Sequence, residues 1–175
     1  MKPFFCVMLF MLFPFIANAD VNIEKLVVIR TIDTNGIGKI IGILKLKNTA
    51  NGLEITSDLA ELSPGAHGFH LHQNPSCELG EKDGKKIAGL AAGGHYDPSN
   101  TNRHEGPNGF GHKGDLAILM VAADGGSDQT VYAPKLTVED VMNHSFVIHA
   151  NSDNYSDMPI LLGGSGARIA CGIVE

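Results

Sequence analysis

Tryptophan is absent from the 175 residues, and aromatic side chains reach only 6%. Cysteine is scarce at 3, which excludes a disulfide-dense scaffold. Positive charge is in deficit, with 13 Lys and Arg against 19 Asp and Glu and a formal net charge of −6. That balance carries no electrostatic footprint for nucleic acid. Nor does any apolar run reach the roughly 20 residues a membrane span needs. What is present is a 43% hydrophobic content, 21 Gly and 8 His. The first is enough for one domain with a sizeable core and excludes a disordered chain. The glycine content favours a turn-rich β domain, and the histidine count points toward metal or proton chemistry.

Residues 1–19 read as an export signal. Lys2 supplies the positive start, Phe4–Ile16 the apolar stretch, and Ala17-Asn18-Ala19 the small-residue cleavage pattern. Cys6 lies too deep in the apolar stretch to resemble a lipid-attachment site. Cleavage after Ala19 leaves Asp20–Glu175 as a single domain, and loss of Lys2 takes the net charge from −6 to −7. It also leaves two cysteines, Cys77 and Cys171. An even pair in an exported chain reads as one disulfide, worth roughly 4 kcal/mol for so long a closed loop.

Short alternating or β-branched runs, punctuated by Gly, Asn, Asp and Pro, predict eight strands. They are Leu26–Thr31, Gly38–Lys47, Gly52–Leu59, Gly68–His72, Leu116–Ala122, Gln129–Ala133, Ser145–Ala150 and Arg168–Val174. Asp33-Thr34-Asn35-Gly36 and Thr49-Ala50-Asn51-Gly52 read as hairpin turns in which Asn-Gly tolerates positive φ. Thr137 is placed to cap one helical turn. The fold class is all-β, an antiparallel sandwich or flattened barrel. Two long connections, Gln73–Gly114 and Asn151–Ala167, exceed the roughly 15 residues usual for a plain loop and are expected to be functional.

Six histidines fall between His67 and His112: His67, His70, His72, His95, His104 and His112. Asp115 follows closely, and His149 lies on a later strand. At strand period two, His70 and His72 share one face while Phe69 and Leu71 face the core. Parity turns His67 away from that pair, and His144 reads as a surface residue. Six imidazoles and one carboxylate remain. One four-coordinate ion cannot use seven donors and two ions need eight, so either one donor bridges or one position is water. Imidazole has two nitrogens, and His95 lies between the two groups in sequence, which makes it the natural bridge. An all-imidazole set suits copper(II), and His104, His112 and Asp115 provide the mixed set that suits zinc.

The segments His67-Gly68-Phe69-His70-Leu71-His72, Gly94-His95, His104, His112-x-x-Asp115, His149 and Gly166-Ala167-Arg168-Ile169-Ala170-Cys171-Gly172 resemble copper–zinc superoxide dismutase of the bacterial secreted type. The resemblance covers nearly all of Asp20–Glu175. It implies an eight-stranded antiparallel Greek-key sandwich or flattened barrel, with copper on His70, His72, His95 and His149. Zinc would lie on His95, His104, His112 and Asp115. It also implies a Cys77–Cys171 disulfide, a structural role for His67 and a place for Arg168 beside the copper. Asp153, with Asp157 close by, stands where the family has a carboxylate linking a copper-ligand and a zinc-ligand histidine. Asn108, Lys113 and Ala117 depart from the family pattern near its subunit contact and leave the metal ligands untouched.

The implied activity is disproportionation of superoxide to dioxygen and hydrogen peroxide in the periplasm. Its cofactors are a copper ion and a zinc ion, and His95 and Arg168 are the catalytic residues. Superoxide is the expected partner, with no nucleic acid and no membrane after cleavage, and a homodimer is left open. Because the net charge repels an anion, Arg168 and the loop lysines Lys82, Lys85, Lys86 and Lys113 are expected to focus the local potential. The rival reading is a periplasmic copper- or zinc-binding module without turnover. A zinc-stabilised adhesion sandwich leaves His70, His72 and His149 unexplained.

Overall fold

Alternation sets the first three strands. In a computed structural model that describes residues 24–175, β1 (Glu24–Asp33) turns Val27 and Ile29 inward and Leu26 and Val28 outward. It pairs with β2 (Gly36–Thr49), which pairs in turn with β3 (Gly52–Leu59), where Leu53, Ile55 and Leu59 point inward. The export signal read from residues 1–19 lies outside the described residues. Both predicted hairpin turns form, with a division of labour inside each. Asn35 and Asn51 keep negative φ, and Gly36 at +120° and Gly52 at +93° take the positive value. Asp33 Oδ1 and Thr49 Oγ1 accept the amides of Asn35 and Asn51, closing each turn from its first residue.

The next strand is split. β4 (Gly65–His67) pairs with β8 (Leu119–Val121), and β5 (Phe69–His72) pairs with β10 (Ser145–His149). Between them Gly68 leaves the ladder: its N–H donates to Asn151 O, and its carbonyl accepts from His149 N–H. The predicted strand Leu116–Ala122 shortens to three residues. Its start bends away because Asp115 turns toward the histidines, bridging to His70. β9 (Thr130–Ala133) and β11 (Arg168–Ile173) complete an antiparallel sheet of order β5-β10-β11-β1-β2-β3-β9. The sheet curls into the expected all-β flattened barrel. Between β8 and β9, Gln129 reaches across, accepting from Met120 N–H and donating to Ile118 O.

Phe69 and Phe146 stack at 5.5 Å inside, among Leu44, Leu46, Leu53 and Leu71, all fully buried. Truncating such a ring typically costs about 3–5 kcal/mol. The helical turn α1 (Val138–Val141) carries the expected cap: Thr137 accepts from Asp140 N–H while Asp140 accepts from Thr137 N–H. Inside Gln73–Gly114 lies a hairpin absent from the expectations above, β6 (Gly80–Lys82) with β7 (Lys85–Ile87). Its turn is Asp83-Gly84, both at positive φ, a two-residue signal as strong as Asn-Gly. A Cys77–Cys171 disulfide fastens this connection to β11.

Candidate metal centre

On β5 the side chains divide as period two requires. Phe69 and Leu71 enter the core, and His70 and His72 emerge on the opposite side, where the two long connections cover them completely. His149 comes from the end of β10, beside Arg168 on β11. The ladder shifts register between Ile148 and His149, which re-aims both side chains. His95, His104 and His112 come from the first long connection, Asp115 directly follows it, and Asp153 comes from the second. Of the expected residues, the structure brings two four-member groups together, each with donor atoms within 4.8 Å of one another. One is His70, His72, His95 and His149; the other is His95, His104, His112 and Asp115. His95 belongs to both.

Hydrogen bonds fix which nitrogen of each ring is the donor and which is left over. Asp153 accepts from His70 Nε2 at 2.7 Å with one oxygen and from His104 Nε2 at 2.8 Å with the other. His72 Nδ1 donates to Gly93 O at 3.0 Å, and His149 Nδ1 to Gly166 O at 3.1 Å. The nitrogens that remain are His70 Nδ1, His72 Nε2 and His149 Nε2. Burial drives the pKa of His70 and His72 well below the usual imidazole value, with the neighbouring His95 adding to it. Burial likewise brings His149 down to about 4, against the pull of the Gly166 carbonyl. All three rings are neutral at pH 7, so three lone pairs converge. His72 Nε2 and His149 Nε2 face each other at 3.4 Å, and His70 Nδ1 has no partner at all. Orphaned buried lone pairs are costly, and a cation at their focus satisfies them.

The second group centres on Asp115. Its Oδ1 lies 2.9 Å from His95 Nδ1, 2.9 Å from His104 Nδ1 and 3.2 Å from His112 Nδ1. Burial alone would raise this carboxyl, yet its contacts with His104, His112 and His95 hold it far below the usual carboxylate range. His104 Nε2 already donates to Asp153, so a neutral ring turns a lone pair toward an ionised oxygen. Despite its closeness, the His104 Nδ1 contact lacks hydrogen-bond geometry. Burial disfavours the charged ring, but Asp115 and Asp153 outweigh it and raise His104 to about 9. In the metal-free protein this pull favours a proton on the His104 ring, which a cation binding there would displace. His95 Nδ1 points to this group, leaving Nε2 for the other, and its ring stacks on His70 at 3.9 Å. Both donor sets fit a cation: the first is all-imidazole, the second three imidazoles and a carboxylate.

Asp153 and Asp157, which the sequence left as neighbours, have separate tasks. Asp153 joins the two groups, and Asp157 accepts from His104 N–H and Leu162 N–H and so ties the two connections together. His67 is structural, its ring nitrogens 2.6 Å and 2.8 Å from the carbonyls of His149 and Ser63. His144 is less solvated than expected. Its Nδ1 donates to Gln73 O, and its ring packs on Tyr96 at 4.2 Å. Two contributors were missed. Lys135 Nζ donates to the carbonyls of Gly106, Gly109 and His112, pinning the loop around the second group. Gly163, at φ +71°, packs against Asp153; a Cβ there would lie 1.8 Å from its Oδ1. Its only sequence signal is its place in Gly163-Gly164-Ser165-Gly166.

A cleft of about 440 Å³ opens onto His72, His95 and His149, with Arg168 in its wall. The guanidinium is held by Gly89 O and Gly93 O, which leaves N–H groups available for an anion. No acidic side chain lines this cleft, and the one permanent charge in its wall, Arg168, is opposite in sign to the net charge of the chain. Lys113 departs from expectation: it pairs with Asp140 at 2.7 Å and is absent from the cleft wall. Lys82, Lys85 and Lys86 stand exposed on the β6–β7 hairpin, and Lys86 shares a separate groove with Arg168. A larger cleft of about 620 Å³ on the outer side of β1 holds no histidine and lies away from this chemistry.

The comparisons with known proteins agree with this geometry. A family model described as copper/zinc superoxide dismutase matches residues 40–174. A protein named copper–zinc superoxide dismutase from Photobacterium leiognathi is 51% identical over 139 residues, 79% of this chain and 80% of that one. The solved Cu/Zn superoxide dismutase from Brucella abortus superposes with a TM-score of 0.85 at 47% identity, covering 87% of this chain and 99% of its own. The monomeric copper, zinc superoxide dismutase from Salmonella enterica gives 0.79 at 44% identity, with 87% and 100% covered.

Proposed function

The chain belongs to the copper/zinc superoxide dismutase family, and from that premise we propose the following assignment of its residues to the family's reaction. Two superoxide anions and two protons become one dioxygen and one hydrogen peroxide. His70, His72, His95 and His149 would hold copper, and His95, His104, His112 and Asp115 would hold zinc. Bound copper supplies a one-electron redox couple, and zinc supplies a fixed charge with no redox chemistry of its own. The observation that carries the reading is the membership of His95 in both donor groups.

The residues of the chain do the rest. Arg168 binds the anionic substrate, its fork held in place by two backbone carbonyls. His95 Nε2, when it is not engaged by copper, is the atom at which a proton is taken up and handed on, with Nδ1 keeping the ring oriented, an imidazole acting as general acid. Asp153 fixes the tautomers of His70 and His104 and so presents both Nδ1 atoms to the ions. A binding module without turnover has no use for an arginine in the cleft wall. All donors and Arg168 come from one chain, so activity requires no second copy, and specific activity should not change with protein concentration.

Export to the periplasm, with cleavage after Ala19, belongs to the same proposal. It is supported by the leader pattern and by a disulfide, which persists in an oxidising compartment. The mass of the exported protein checks it. The function itself is tested by the decay of pulse-radiolytic superoxide with purified protein before and after copper removal. Arg168→Ala should keep its metal and lose turnover; undiminished turnover would remove Arg168 from the reaction.

A further inference from the structure

Three consecutive apolar side chains stand at the mouth of the 440 Å³ cleft. Ile160, Leu161 and Leu162 line it and are 64%, 73% and 42% exposed. Single exposed apolar residues are ordinary, but a contiguous fringe on a cleft marks a binding surface. A diatomic anion gains nothing from such a fringe. At the wall stands Arg168, with no carboxylate among the lining residues to oppose it. One permanent positive charge, an apolar edge and a volume within the range of small-molecule sites define an amphipathic anion.

We propose that this cleft binds carboxylates bearing a short alkyl chain, the head group on Arg168 and the chain along Ile160, Leu161 and Leu162. The inference rests on the reading of Arg168 as the anion anchor and adds a ligand class to it. A fully buried methylene is worth about fourfold in affinity. At half burial each added methylene gives about twofold, so hexanoate should bind roughly tenfold or more tightly than acetate.

The test is an NMR titration of the reduced, metal-loaded protein, in which both ions are diamagnetic, with acetate, butanoate, hexanoate and hexylammonium. Amide shifts of residues 160–168 report the site independently of turnover. The expected result is affinity rising with carboxylate chain length, no binding of hexylammonium, and loss of all carboxylate binding in Arg168→Gln. Leu161→Gln should keep the affinity for acetate and the superoxide turnover while reducing the gain for hexanoate. Hexanoate binding no tighter than acetate overturns the proposal but leaves the anchor intact. Carboxylate binding that survives Arg168→Gln overturns both. Shifts produced only by anionic phospholipid vesicles would assign the fringe to a bilayer surface and also overturn the proposal.

Discussion

Gly163→Ala should strip metal from the protein through an atom that touches no metal. The added Cβ would lie 1.8 Å from Asp153 Oδ1 and 2.9 Å from His104 Nε2, far inside any real contact. Asp153 must move, and with it go the acceptors of His70 Nε2 and His104 Nε2. Both rings then lose the partner that sets their tautomer, a loss that typically lowers metal affinity about 10–100-fold. Backbone strain adds to this, because a non-glycine residue at φ +71° costs about 1–3 kcal/mol. Gly164 separates the two effects. It has nearly the same φ, +70°, but a Cβ there meets only Ile160 at 3.7 Å, ordinary contact. Gly164→Ala therefore carries strain without the clash. Chelator competition for zinc and copper, with thermal melts of both variants, is the assay. Both melting temperatures should fall by about 2–4 °C per kcal/mol of strain. Only Gly163→Ala should lose metal affinity, and equal affinities would refute the role given to Asp153.

Replacing Cys77 and Cys171 by serine opens a loop of sequence separation 94, expected to cost about 4–5 kcal/mol in thermal or denaturant unfolding. Turnover should fall as well, since the freed connection carries the Gly89 and Gly93 carbonyls that hold Arg168; an intact rate would separate the two. The metal-free protein should be most stable near pH 6.5. Below that, His149, lowered to about 4, and His70, His72 and His95, lowered by burial, favour the unfolded chain, which binds more protons. Above it, the stability contributed by His104 is lost as pH rises toward its raised pKa of about 9. Thermal melts from pH 4 to 9.5 check this, and a flat profile refutes it. Turnover should fall with ionic strength, and Lys113→Gln should leave that slope unchanged because Lys113 is engaged with Asp140. A flattened slope in that variant would return Lys113 to a steering role.

Much of this was legible in the chain because two periodicities do separate work. The alternation of Val27, Ile29, Leu53 and Ile55 places strands, and the same period on Phe69-His70-Leu71-His72 splits core from site without any knowledge of neighbours. Counting donors narrowed the arrangement to one shared donor or one open position, and the place of His95 between the two groups in sequence pointed to it as the shared one. The sequence could not show how the loops are fastened. Lys135 reaches three carbonyls of a distant loop, a contact with no local pattern. Asp153 and Asp157 look alike in sequence and differ only in what lies opposite them. Asp83-Gly84 was readable as a turn, but lysines flank it, and their alternation carries no hydrophobic signal.

The ties converge on one strand, and that explains how a loop-built site stays rigid. β11 carries Arg168 at its start and Cys171 three residues on. Cys171 holds the first long connection by a covalent bond, and Arg168 holds the same connection by two carbonyls. β11 also pairs with β10, so His149 faces Arg168 across the ladder. Among the described residues, the hydrogen bonds joining the second long connection to the first run from His104 to Asp153 and Asp157, and Tyr155 packs against Gly106. The barrel thus fixes His70, His72, His149 and Arg168, while His104, His112 and Asp115 depend on loop contacts. Removing zinc should therefore loosen residues 95–115 and 151–166 and leave β5, β10 and β11 protected. Amide hydrogen exchange of the copper-only and fully loaded forms measures this directly. Uniform loss of protection across β5 and β10 would mean that the metal holds the barrel together, contrary to the division argued here.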